Sequence, residues 1–144
     1  MIALDTNILV YARREETPFH REALTLLTEL AEGDLPWALL WPVVYEYVRV
    51  VTHPRVFSSP SPVADVVEDL VALARSPSVV LLGEGSSHLS IFERTVLSSD
   101  VQGNLVHDAH IAALALEHGI SDFLSCDRDF TRFRLLPVRN PFQD

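Results

Sequence analysis

The sequence predicts an α/β fold: a three-layer α/β/α sandwich with a short, mostly parallel central sheet. Two observations carry the prediction. Short apolar runs, Met1 to Leu4, Trp37 to Trp41, Val79 to Leu82 and Phe123 to Cys126, alternate with longer segments of helical periodicity. Strands alternating with helices pair in parallel through right-handed crossovers. The acids Asp5 and Asp127 follow the first and last of these runs, and sheets of this kind gather ligands at the carboxyl ends of their strands.

The elements follow in order. Met1 to Leu4 reads as a buried strand opening into a helix, with Thr6 or Asn7 as its cap. Thr17-Pro18 has the form of a cap with proline at the first helical position, and Ala23, Leu24, Leu26, Leu27 and Leu30 repeat at helical spacing until Gly33. The run from Trp37 to Trp41 feeds a helix that begins at Pro42 and contains Glu46. His53-Pro54 ends that helix, and Ser61-Pro62 starts another that runs to about Arg75. Val79 to Leu82 is a strand, His88 to Leu97 is moderately helical, and Asn104 to His118 is strongly helical with Gly119 as its stop. Phe123 to Cys126 is a strand, Asp127 to Phe130 a turn, and Leu135 to Val138 a last short strand. Neither internal repeats nor low-complexity segments interrupt this order, so residues 1–144 are expected to form one domain.

Composition narrows the function. Of the 144 residues 48% are hydrophobic, but no run approaches the ~20 apolar residues of a membrane span. Asp5 breaks the first apolar run, and no basic leader or small-residue cleavage site is evident, which argues against secretory processing. Cys126 is the only cysteine; an internal disulfide is excluded, and a reducing, cytoplasmic setting is expected. A formal net charge of −9 excludes a broad basic face for nucleic acid, so any such contact has to be local or metal-assisted. All eleven basic residues are arginine.

Most acids, Glu29, Asp65 and Glu68 among them, fall on solvated helix faces. Asp5, Glu46, Asp108 and Asp127 differ in being embedded among apolar neighbours, where a carboxylate is costly unless compensated. Each has an ordinary reading taken singly: Asp5-Thr6-Asn7 as a helix cap, Glu46 as a surface helix residue, Asp108 as a first-turn acid, Asp127 as part of a turn. Compensation comes either from arginines, for which Arg49 and Arg128 are placed, or from a divalent ion. Neither arginine serves Asp5 or Asp108. Hard ions such as Mg²⁺ or Mn²⁺ take a few carboxylates and waters as a normal shell, and the metal is the favoured reading.

Asp5-Thr6-Asn7 after an apolar start, Glu46 in a Glu-Tyr-Val-Arg helix, the run Gly103-Asn104-Leu105-Val106-His107-Asp108-Ala109-His110-Ile111-Ala112-Ala113-Leu114-Ala115, and Ser125-Cys126-Asp127-Arg128-Asp129-Phe130 together resemble the PIN domain. More narrowly they resemble the VapC-type toxins of bacterial toxin-antitoxin pairs, and the likeness spans essentially the whole chain. The resemblance implies that Asp5, Glu46, Asp108 and Asp127 form an acidic quartet holding one or two Mg²⁺ or Mn²⁺ ions, with Asp129 as an additional acid. It places Ser125 and Asn7 as polar residues that support the acids. Cys126, standing where a small residue is common, is a mild departure that leaves the ligands intact.

The implied activity is metal-dependent endoribonuclease, in which a carboxylate-held ion acidifies water and offsets charge growing on the phosphate. Four crowded acids would otherwise repel, so one or more of them is expected to hold a proton at neutral pH when no metal is bound. Arg13, Arg14, Arg49, Arg55, Arg128, Arg132 and Arg134 are candidates for a local rim contacting phosphates, with Arg13, Arg49 and Arg128 foremost. His107 and His110 flank Asp108 and are read as core or surface residues rather than ligands; Trp37 and Trp41 are read as packing residues. The resemblance also implies a small antitoxin that blocks the acidic cleft, and a toxin homodimer. Two rivals stand beside it. One is a non-catalytic module whose acids dock a basic partner. The other is a phosphatase forming an aspartyl phosphate, a class that needs a lysine this chain lacks and an acid where Asn7 stands.

Overall fold

The computed structural model describes residues 1–143. Five strands, β1 (Ile2–Leu4), β2 (Trp37–Leu40), β3 (Val79–Leu82), β4 (Asp122–Leu124) and β5 (Val138–Arg139), form one sheet in the order β3-β2-β1-β4-β5. Every pairing is parallel, so the sheet is wholly rather than mostly parallel. The helices are α1 (Thr6–Arg13), α2 (His20–Glu32), α3 (Trp41–Val51), α4 (Val63–Ala74), α5 (His88–Ser99) and α6 (Leu105–Glu117), with a 3-10 turn at Arg128–Arg132. From β1 the chain steps through β2 to β3 in one direction, then returns across the sheet to β4. Right-handed crossovers therefore put α1 to α4 on one face and α5 and α6 on the other. α1 accordingly packs on α2 and α3, while α5 packs on α6. The strand order reverses between β1 and β4, and there the acids collect.

Local chemistry explains the elements. The four residues of β2 are buried throughout, as a strand covered on both faces requires. Trp37, fully buried, satisfies its indole by donating to Ser78 Oγ at 3.2 Å, so it is a packing residue as expected. Trp41 opens α3 instead of ending the strand, with Pro42 in the first turn where its missing N–H costs nothing, and its ring lies against Tyr45. α6 buries Ala109 and the whole run from Ile111 to Ala115. Small side chains on most sides let it sit close against α3, α5 and β2 at once.

Four further boundaries differ from the sequence expectation. Asp5 itself, not Thr6 or Asn7, caps α1, accepting the Thr6 N–H at 2.8 Å. Thr17-Pro18 caps nothing: the Thr17 hydroxyl donates back to the Arg14 carbonyl, and α2 begins at His20 after Phe19, which adopts φ 60°. The Phe19 ring stacks on Phe142, with 5.3 Å between centroids. β4 ends at Leu124, leaving Ser125 and Cys126 beyond it, and the final strand is Val138–Arg139, with Leu135 exposed in the preceding loop.

Candidate active site

β1 ends at Leu4, and the Asp5 N–H donates to the Leu124 carbonyl at 2.9 Å, so β1 and β4 release their chains side by side. Asp5 is 4% exposed. Its Oδ1 takes the Thr6 N–H; its Oδ2 accepts from Asn7 Nδ2 at 2.9 Å and from Ser125 Oγ at 2.6 Å. Asn7 in turn accepts the Cys126 N–H at 3.2 Å, and Ser125 Oγ accepts the Asp127 N–H at 3.0 Å. A continuous polar lattice thus ties the start of α1 to the segment after β4. Asn7 and Ser125, expected to support the acids, both hydrogen-bond the Asp5 carboxylate.

The other acids arrive from separate elements. Glu46 comes from the middle of α3, Asp108 from the first turn of α6, and Asp127 caps the 3-10 turn by accepting the Asp129 N–H at 2.8 Å. Contact between α3 and α6 brings the first two together. Asp5, Glu46, Asp108 and Asp127 line one cleft of about 230 Å³, with Thr6, Asn7 and Tyr11 among its other walls. One carboxylate oxygen each from Asp108, Asp127 and Asp129 lies within 4.8 Å of the other two. No lysine, arginine or histidine lines this cleft among the described residues.

The electrostatics follow from that geometry. Burial pushes Asp5 from an ordinary 3.8 up to about 7, against the pull of its bonds from Ser125 and Thr6, with the charges of Glu46 and Asp108 pushing further. Asp108 is pushed to about 6, by burial first and then by Asp127, Glu46 and Asp129, while His107 pulls it down. The Tyr11 phenol is raised by burial and by negative neighbours. Cys126 is raised to about 11 by burial and by Asp5, so it is a thiol at neutral pH and no nucleophile.

The family model of the PIN domain matches residues 2–135 of the chain. The chain belongs to the PIN-domain family. Among curated PIN-domain relatives, the ribonucleases VapC48 and VapC43 of Mycobacterium tuberculosis are similar at 38% identity over 138 residues and 39% over 141. These alignments cover 96% and 98% of this chain, and 95% of each relative. Two solved structures share the fold. VapBC2 from Rickettsia felis bound to a DNA fragment from its promoter matches at TM-score 0.70 and 19% identity, covering 97% of this chain and 98% of that one. VapC20 of M. tuberculosis, a sarcin-ricin loop cleaving toxin, matches at TM-score 0.66 and 15% identity, covering 91% and 93%. The resemblance to VapC-type proteins read from the motifs is thereby established.

Residues outside the acids divide. Arg13 pairs with Asp69 and donates to Ser61, and it lines a different cleft between α1, α2 and α4. Arg49 is exposed on α3 and stands outside the acidic cleft. Arg128, Arg132 and Arg134, joined by Arg94, line a groove of about 1120 Å³ that also contains Asp129. That groove therefore reaches the acidic cluster through Asp129. His107 is exposed, and His110 is paired with Glu84. Two cleft residues escaped the sequence reading. Thr6 donates its hydroxyl to Glu46 Oε2 at 3.1 Å, and Tyr11 forms part of the wall. The available signal was position: a small hydroxyl residue next to Asp5 and an aromatic ring six residues on, in a helix whose first turn lines the site.

Proposed function

We propose that this chain is a metal-dependent endoribonuclease, the toxin of a type II toxin-antitoxin pair, with Asp5, Glu46, Asp108 and Asp127 as its metal-holding acids. The observation that carries the reading is the meeting of these four carboxylates in one cleft whose described walls supply no cation. The donor set fits Mg²⁺ or Mn²⁺: it consists of oxygens only, from flexible carboxylates, with Asp129 close enough to join. An ion bound there supplies Lewis acidity toward water and a phosphodiester. The chain's own groups do the rest. Ser125, Asn7 and the Thr6 N–H fix the Asp5 carboxylate, and the Thr6 hydroxyl orients Glu46. Arg128, Arg132 and Arg134 hold flanking phosphates along the groove that meets Asp129, which answers the unfavourable net charge locally.

The similarity to VapC ribonucleases supports RNA as the substrate, and the VapBC structural neighbour supports a small antitoxin partner. Val63, Val67 and Val71 form an exposed stripe at helical spacing along α4, and Tyr45 and Val56 are also exposed, an apolar surface available to that partner or to a second copy of the toxin. No helix among the described residues is long and apolar enough to cross a membrane. Mapping RNA 5′ ends in cells expressing wild type or Asp5→Asn tests the proposal. New ends at one or a few sites with wild type alone are expected. Identical maps from the two proteins would refute it, and unchanged affinity of Asp5→Asn for the antitoxin separates loss of catalysis from loss of a docking surface.

A further inference from the structure

A second group of ligand-bearing side chains lies away from the acidic cleft, where the loop after β3 meets α5 and α6. Glu84 stands in the loop, His88 opens α5 and His110 lies on α6. One donor atom from each is within 4.8 Å of the other two. His110 Nε2 is 2.6 Å from Glu84 Oε1, and the two imidazoles meet edge to face with centroids 5.4 Å apart. Glu117, two turns beyond His110 on α6, holds His88 Nδ1 at 3.0 Å. Its own Oε1 accepts the Gly85 N–H at 2.9 Å. A Cβ on Gly85 would lie 2.6 Å from that oxygen, so the loop closes over the carboxylate because residue 85 has no side chain.

We propose that Glu84, His88 and His110 form a transition-metal site, for Zn²⁺ or an ion of like chemistry, distinct from the acidic cleft. Imidazole nitrogens with a carboxylate favour Zn²⁺ over Mg²⁺, and three protein ligands leave a fourth position for water. Glu117 is the positioning residue. By accepting the Nδ1 proton of His88 it fixes the tautomer and leaves Nε2 as the free donor, the arrangement that metal-bound histidines commonly show. With bonds of about 2.0 to 2.1 Å, donors around a tetrahedral ion stand about 3.3 Å apart. An ion seated there would widen the 2.6 Å Glu84–His110 contact and draw both donors toward His88, a movement open to side chains that are 50% and 33% exposed. The site would tie the loop after β3 and α5 to α6, the helix that carries Asp108.

Titration with Co²⁺, a spectroscopic substitute for Zn²⁺, tests the proposal on the full chain carrying Asp108→Asn, which weakens the acidic cleft. The visible d–d absorption of a tetrahedral site is expected, saturating at one equivalent and displaced by Zn²⁺. Adding His88→Ala or His110→Ala removes it, and Glu117→Gln weakens Co²⁺ binding roughly 10- to 100-fold. Because His110 is partly exposed, loss of the band in His110→Ala with an unchanged circular dichroism spectrum reports ligand loss and not unfolding. Absence of the band in the Asp108→Asn protein, or its survival in both histidine variants, would overturn the proposal.

Discussion

Raising the pH from 5 to 8 in the presence of a chelator is expected to destabilise the protein by about 2 to 3 kcal/mol through Asp5 alone. The folded carboxyl titrates at about 7 and its unfolded counterpart near 3.8, so the native state binds more protons throughout that interval. Stability therefore falls as pH rises from about 4 and levels off above about 7. The full shift of about 3 units is worth ~4 kcal/mol at ~1.4 kcal/mol per unit, and roughly a third of it is already lost by pH 5. For a chain of this size the remainder lowers the melting temperature by roughly 5 to 10 °C. The assay is thermal melting at pH 5, 6, 7 and 8 in chelator, for wild type and Asp5→Asn. The variant has no carboxyl at this position, so the difference between the two curves isolates Asp5 from the six histidines. At pH 8, Mn²⁺ at a hundredfold excess over its dissociation constant should return about 3 kcal/mol to wild type. Parallel curves for the two proteins would refute the reasoning, because Asp5 would then titrate alike in the folded and unfolded states.

Ser125→Ala removes a donor to the Asp5 carboxylate and leaves the Asp127 N–H without its partner. It should cost about 1 to 3 kcal/mol in urea unfolding, more at pH 8 than at pH 5, because the lost bond favours the charged acid. Thr6→Val, nearly isosteric, removes the hydroxyl bond to Glu46 and is expected to lower the RNA cleavage rate roughly tenfold with little loss of stability; an unchanged rate would show that Glu46 needs no such orientation. Arg134→Ala should raise KM and reduce the salt dependence of RNA binding by about one charge, and an unaltered salt slope would move the RNA off that groove. Val67→Asp, at the centre of the exposed stripe on α4, is expected to abolish antitoxin capture or toxin dimerisation in size-exclusion chromatography while leaving the melt unchanged.

Strand and helix order was legible because periodicity records burial directly: the apolar run before Asp5 and the alanine-rich run after Asp108 each report an element enclosed by others. Their acids stood out for the same reason, as charges inside apolar text. What depends on side chains from distant elements was not legible. Phe19 is left-handed at φ 60° and its ring stacks on Phe142, a partner more than a hundred residues away. Arg13 and Arg134 look alike in sequence, yet Asp69 binds the first while the second faces a groove beside the acids. Thr6 read as a cap until α3 brought Glu46 within reach of its hydroxyl. His110, assigned to the core or surface, meets Glu84 and His88 only because α5 packs along α6.

The central claim, that Asp5, Glu46, Asp108 and Asp127 act together through a divalent ion, is tested most directly by RNA cleavage with purified, chelator-treated protein to which Mn²⁺ or Mg²⁺ is added back. No cleavage in chelator, recovery with the ion in wild type, and no recovery in a folded Asp108→Asn are the predicted results. Robust cleavage in excess chelator, or full activity of Asp108→Asn, would contradict it.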